Sequence, residues 1–158
     1  MSLLIVRHAH AGSRREWTGD DRLRPLSDRG RKQAESIART LAPYEPKRLL
    51  TSPTVRCRQT VEPLGAAIGV DVVDDDRLFE GPCRSDITSL VDDAERKRTI
   101  VLSSHGDVIP ALLAELVERG MTHEDELVWQ KAGTWVVDYD KADGGWGCAT
   151  YLTPPRGR

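Results

Sequence analysis

Cysteine is scarce in this chain, and the scarcity is informative. Cys57, Cys83 and Cys148 are odd in number, far apart and free of any Cys-x-x-Cys spacing, which disfavours a disulfide framework and a structural zinc and suits a reducing cytoplasm. Long apolar runs are also missing. Leu3-Leu4-Ile5-Val6 is interrupted by Arg7 and His8 and lacks the basic leader and cleavage site of a signal peptide. No later stretch is long enough to span a bilayer, so no membrane partner is expected. There is no basic block either, and the formal net charge is only −2, so nothing recommends a nucleic acid as ligand. Arg14-Arg15 and Arg96-Lys97-Arg98 read as solvated surface. Finally, the chain contains no Gly-x-x-x-x-Gly-Lys-Ser/Thr, no Gly-x-Ser-x-Gly and no Cys-x5-Arg. A P-loop NTPase and the common serine or cysteine nucleophiles are thereby set aside.

What remains is an ordinary globular mixture, 39% hydrophobic and 30% charged over 158 residues. A chain of this size buries roughly two-thirds of its unfolded surface without staples. One domain is expected over residues 1–153, with residues 154–158 as a flexible tail.

Short β-rich runs alternate with helical periodicity, which predicts an α/β three-layer sandwich with a mostly parallel central sheet flanked by helices. Leu3 to Val6 reads as a buried strand, followed by a polar loop from Ala9 to Leu26 that is too long for a mere connection. Ser27 can cap a helix over Asp28 to Leu41, where Ala34, Ile37, Ala38 and Leu41 share a face. Arg48 to Ser52 reads as a second strand; Pro53 suits the first turn of the next helix, and Pro63 should bend or break it. Val70–Val73 and Thr99–Ser103 read as strands, Ser85–Arg96 and Asp107–Glu118 as helices. Thr134–Tyr139 and Trp146–Leu152 form a closing hairpin around Asp140-Lys-Ala-Asp-Gly-Gly145.

Three of these strands end in side chains suited to phosphate: Arg7-His8, Thr51 to Arg56, and Ser104-His105-Gly106. Ligands of open parallel sheets settle at the carboxyl ends of strands, so these distant residues can share one pocket. Arg56 lies near a helix N-terminus, where guanidinium and free amides can face one anion, and Gly106 offers bare backbone to it. Arginine forks onto phosphate and stays charged. The same positive field pushes the His8 pKa down and keeps a ring lone pair available for attack on phosphorus.

Val6-Arg7-His8-Ala9, Thr51-Ser-Pro-Thr-Val-Arg56-Cys-Arg-Gln59-Thr60 and Ser104-His105-Gly106 resemble, in order, the three signature blocks of the histidine phosphatase, or phosphoglycerate mutase-like, superfamily. The resemblance implies a metal-independent phosphatase without cofactor. In it His8 forms a phosphohistidine intermediate, Arg7, Arg56 and His105 clamp the phosphoryl group, and the Gly106 amide assists. It also implies an acid after the third strand, where Leu78-Phe-Glu80-Gly81 fits and Glu80 becomes the proton donor. The sequence departs from the pattern at Ala9, where glycine is usual, and at His10, where mutase-like branches often carry glutamate.

The short length is similar to the SixA-type phosphohistidine phosphatase branch. His8-Ala-His-Ala-Gly12-Ser, Gly19-Asp-Asp21, Arg24-Pro-Leu26 and Lys131-Ala-Gly-Thr-Trp135 resemble the phosphatase domain that follows a Nudix domain in MutT-type proteins. A phosphorylated protein histidine is the first substrate implied; nucleotides or other small phosphorylated metabolites are the alternative, with Lys131 reaching a second phosphate and a separate Nudix protein as a partner. Two rivals remain. His8-x-His10 with Asp20, Asp21 or Asp107 would suit a metallohydrolase, although two arginines repel a divalent cation. A non-catalytic module could hold a phosphorylated ligand without turnover.

Overall fold

A computed structural model describes residues 1–158 apart from Lys97 and Lys141. Its elements are β1 (Ser2–Arg7), α1 (Asp28–Leu41), β2 (Arg48–Thr51), α2 (Val55–Ile68), β3 (Val72–Asp74), α3 (Arg84–Ala94), β4 (Ile100–Ser104), α4 (Val108–Glu118), β5 (Thr122–His123), β6 (Thr134–Asp140) and β7 (Gly145–Leu152). The strands form one sheet in the order β3-β2-β4-β1-β6-β7-β5. β1, β2, β3 and β4 are mutually parallel, and β6 runs antiparallel to both of its neighbours.

The apolar run of β1 is explained by its central place, because such a strand has no face turned to water. Leu4 and Val6 pack with Ala34, Ile37, Leu41, Val61 and Leu64 of α1 and α2. Leu3 and Ile5 pack on the opposite side with Leu90, Ile109, Leu112 and Trp135, toward α3 and α4. Alternate side chains of one strand thus serve two cores, and the chain has the three-layer α/β sandwich expected of it.

Ser27 caps α1 by accepting from the Gly30 amide, and the helix ends at Leu41. Two expectations about proline are corrected. Pro53 precedes α2, whose N-cap is Thr54, and α2 continues through Pro63 to Ile68, ending at Gly69 with φ 70°. Pro63 removes one helical amide bond, but Val61 and Leu64 on either side of it are fully buried and hold the helix against the sheet. β5 was not legible, because two exposed residues carry no pattern. Arg96 and Arg98 are exposed, while Lys97 of that run and Lys141 of the hairpin turn lie outside the described residues. After β7 the chain returns to α1, where Gln33 donates to the Pro155 carbonyl at 2.9 Å. No helix among the described residues is long and apolar enough to cross a membrane.

The long connection after β1 is tied down at its start. His10 N–H donates to Gln33 Oε1 at 3.0 Å, and Ser27 N–H donates to the His10 carbonyl at 3.0 Å. Gly30 is what allows this approach, because a Cβ there would stand 2.0 Å from the His10 carbonyl oxygen. Helix propensity alone would make Gly30→Ala stabilising by about 0.5–1 kcal/mol. The overlap reverses the sign: urea unfolding of Gly30→Ala should show a loss of roughly 1–3 kcal/mol, and a gain would mean that the loop does not rest on α1.

Candidate active site

The carboxyl ends of β1, β2 and β4 open into one cleft of about 400 Å³, whose lining includes Arg7, His8, Glu80, His105, Gly106 and Lys131. Arg56, from the first turn of α2, lies almost wholly buried, and its guanidinium bonds Glu80 of the lining. All seven residues singled out from the sequence therefore meet at one place. The blocks that carry them are bonded to each other: Ala9 N–H donates to Thr60 Oγ1 at 3.0 Å, and that hydroxyl donates to the Arg56 carbonyl at 2.7 Å.

His8 is buried, and its Nδ1 lies 2.9 Å from the Ala9 carbonyl. A carbonyl can only accept, so Nδ1 carries the proton and the Nε2 lone pair is left free. Burial, chiefly, with help from Arg56, His105 and Arg7, lowers the His8 pKa from 6.5 to about 3, against the opposing pull of the Ala9 bond. A neutral ring with an open nitrogen is what nucleophilic attack requires.

Arg7 donates from Nη1 to the Trp129 carbonyl at 2.8 Å and lies against Gly106, where a Cβ would come within 2.8 Å of Nη2. The glycine is thus space for a guanidinium, an addition to the role of bare backbone expected from the sequence. Arg56 donates to the Asp21 carbonyl at 2.8 Å and to Glu80 Oε1 at 2.9 Å. Among the described residues, Arg7 Nε and Arg56 Nε are buried with no acceptor. Each such N–H costs about 1–3 kcal/mol, which an anion in the cleft can offset.

His105 sits 5.7 Å from His8 between ring centroids. Its Nε2 is 2.7 Å from Ser52 Oγ and its Nδ1 is 3.4 Å from Glu80 Oε1. Burial first, then Arg56, keeps its pKa below the ordinary histidine value despite Glu80 and Asp107.

Sequence reasoning missed part of the rim. Arg24 is buried, donating to Asp21 Oδ1 at 2.9 Å and to the Ala11 carbonyl at 2.8 Å. Arg14, read as plain surface, is exposed but reaches Glu80 at 3.0 Å and Asp21 at 3.3 Å. Only the spacing in Gly19-Asp-Asp21 and Arg24-Pro-Leu26 hinted at this group. Burial, then Arg7, Arg24, Arg56 and Arg14, lowers the Lys131 pKa, a sign of how strongly positive this cleft is. Burial of Asp21 is outweighed by Arg24, Arg56 and Arg14, so its pKa is lowered.

His10, the second histidine of the metal reading, lies 2.6 Å from Ser27 Oγ through its Nδ1, and among the described residues no three His, Cys, Asp or Glu side chains are grouped to hold an ion.

With this geometry in place, residues 3–86 match the model of the histidine phosphatase superfamily (branch 1). The chain belongs to that superfamily, and its class is that of histidine-nucleophile phosphatases. Among known proteins it is 35% identical over 158 residues to an 8-oxo-(d)GTP phosphatase of Mycolicibacterium smegmatis, covering 98% of this chain and 48% of that protein. The chain thus spans about half the length of the curated relative it matches. Among solved structures it is similar to SixA from Agrobacterium tumefaciens, with TM-score 0.75, 25% identity and 97% of each chain covered. It also shares the fold of a protein histidine phosphatase SixA complexed with tungstate, with TM-score 0.74, 19% identity and coverage of 99% of this chain and 97% of that one.

The lowered His8 pKa has a consequence for stability. Above pH 6.5 the ring is neutral folded or unfolded; below it the unfolded chain takes up a proton that the folded ring refuses until about pH 3. Stability contributed by neutral His8 is therefore lost as pH falls from 6.5 toward 3, by an amount on the order of 4–5 kcal/mol when complete. Denaturant unfolding between these values should show a flatter acid limb for His8→Gln than for wild type; parallel limbs would contradict the buried neutral ring.

Proposed function

We propose that His8 is the nucleophile of this phosphatase and that the substrate is a small phosphorylated molecule carrying more than one negative group, of the nucleotide kind. The carrying observation is the free Nε2 of a neutral His8 beside Arg7, Arg56 and His105. In the first step Nε2 bonds to phosphorus as the bond to the leaving oxygen breaks. In the second, a water oxygen bonds to phosphorus, the Nε2–P bond breaks and phosphate departs. Arg7, Arg56 and His105 hold the phosphoryl oxygens through both steps, and preorganised charge of this kind supplies much of the rate. The steps as written use no metal or cofactor.

Glu80 is the group assigned to give a proton to the leaving oxygen and take one from water. In the ligand-free arrangement its Oε1 accepts from Arg56 and Arg14. An arriving phosphate takes over those arginines, and the freed carboxyl takes up a proton from solvent, gives it to the leaving oxygen in the first step and regains one from the attacking water in the second.

For the substrate, the support is the charge of the rim. One phosphate dianion is matched by Arg7 and Arg56, yet Arg14, Arg24 and Lys131 also line the cleft, and these suit a second phosphate. The activity named for the mycobacterial relative agrees with such a substrate. A phosphorylated protein histidine is the second reading, favoured by the likeness to SixA over nearly the whole chain. A separate Nudix partner belongs to the first reading.

The test compares nucleoside di- and triphosphates with a phosphohistidine protein, using wild type, His8→Ala and Glu80→Gln. Wild type should turn over the nucleotides faster, and His8→Ala should abolish turnover of every substrate. Glu80→Gln should slow alkyl phosphates by roughly 10²–10⁴-fold and activated aryl phosphates much less. Substantial turnover by His8→Ala removes the nucleophile assignment, and equal slowing of both esters removes Glu80 as acid.

A further inference from the structure

We propose that Ser52 is a positioning residue that fixes the tautomer of His105, so that His105 presents an N–H from Nδ1 to the phosphoryl group while His8 presents a lone pair from Nε2. The proposal rests on the phosphatase reading of the cleft and adds to it a reason why two neighbouring histidines act in opposite senses.

A neutral imidazole carries one ring proton, and its two nitrogens cannot both donate. At Nδ1 the neighbours are Glu80 Oε1, 3.4 Å away and already accepting from Arg56 and Arg14, and Cys57 Sγ at 3.8 Å. An oxygen held by two arginines is an acceptor, so the side of His105 that faces it bears the proton. At Nε2 the neighbour is Ser52 Oγ at 2.7 Å, with Ser52 fully buried. A hydroxyl can donate or accept, but His105 Nε2 is the one hydrogen-bond partner found for Ser52 Oγ among the described residues, so accepting from Nε2 would leave the hydroxyl proton unpaired in the interior. The hydroxyl therefore donates, and both contacts of His105 agree on one tautomer.

His8 shows the same device with a different partner. There a backbone carbonyl accepts the hydrogen bond from Nδ1–H and leaves Nε2 bare toward the reaction. The carbonyl can only accept and so dictates by itself, whereas at His105 the direction depends on a replaceable side chain. Without the Ser52 hydroxyl, Nε2 retains a neighbour in Cys57 Sγ at 3.6 Å. Sulfur accepts weakly, so a proton on Nε2 becomes tolerable. His105 would then turn a lone pair toward the phosphoryl oxygens, where it repels the charge it should stabilise.

Ser52 follows β2 directly, and its amide donates to the Ser103 carbonyl of β4 at 2.9 Å. The hydroxyl is thus anchored to the strand from which His105 emerges, and its aim does not depend on the loops around the cleft.

The experiment is nitrogen-15 NMR of the ring nitrogens in the full chain without substrate, together with kinetics on an aryl phosphate. Wild type should show His105 protonated at Nδ1 and bare at Nε2. Ser52→Ala should show a population protonated at Nε2, and a fall in kcat of at least about tenfold with a much smaller change in KM, as for an interaction made in the transition state. A wild-type proton on Nε2 overturns the proposal, and so does a Ser52→Ala variant whose ring nitrogens match wild type. The wild-type spectrum decides even where Ser52→Ala does not fold. Because it is recorded without substrate, it stands apart from the phosphatase reading, which would fail instead through absence of turnover by wild type.

Discussion

Two guanidinium groups, that of half-buried Arg7 and that of buried Arg56, are placed beside two histidines, and the arrangement holds only because the fold gives them fixed partners. A buried cation without compensation is costly. Here Arg56 meets Glu80 and the Asp21 carbonyl, and Arg7 meets the Trp129 carbonyl. Yet each keeps one N–H without an acceptor among the described residues. The site is thus held slightly short of satisfaction. The lowered pKa of His8 belongs to the same constraint, since burial and positive neighbours both refuse it a proton.

The scaffold serves this arrangement by sending three parallel strands to one edge. β1, β2 and β4 stand side by side, in register from Leu4 beside Val101 and Leu49 beside Val101. Their carboxyl ends deliver Arg7-His8, Ser52 and His105 within reach of each other. The long connection after β1 returns over the cleft with Arg14, Asp21 and Arg24, and it is moored by the close approach of Gly30 to His10. Asp21 lies against three arginines at once, so like charges can crowd there without driving the loop away. What would otherwise be a hydrogen-bonded histidine at a strand end becomes part of a charged enclosure.

How much of this the sequence carries differs from residue to residue. The bounds of α1 are readable because Ser27 and the period of Ala34, Ile37 and Leu41 agree with each other. Arg7, His8, Arg56 and His105 are readable because strand ends and motif order point the same way. Pro63 misleads: local chemistry argues for a break, and burial of Val61 and Leu64 overrides it. Arg14 carries no local signal and Arg24 only its place in Arg24-Pro-Leu26, since a loop arginine looks the same whether solvated or folded back over a cleft. Ser52 is hidden for a related reason. Its role is set by a hydrogen bond to a residue 53 positions away, and by the proton accounting at that ring.

The central claim is that a neutral His8 attacks phosphorus through Nε2 because Nδ1 is committed to the Ala9 carbonyl. Rapid quenching of the enzyme during turnover of a phosphorus-32 substrate, followed by mapping of the labelled peptide and ring nitrogen, tests it directly. The account predicts phosphate on His8 at Nε2. Phosphate on any other residue, or at Nδ1 of His8, would contradict it.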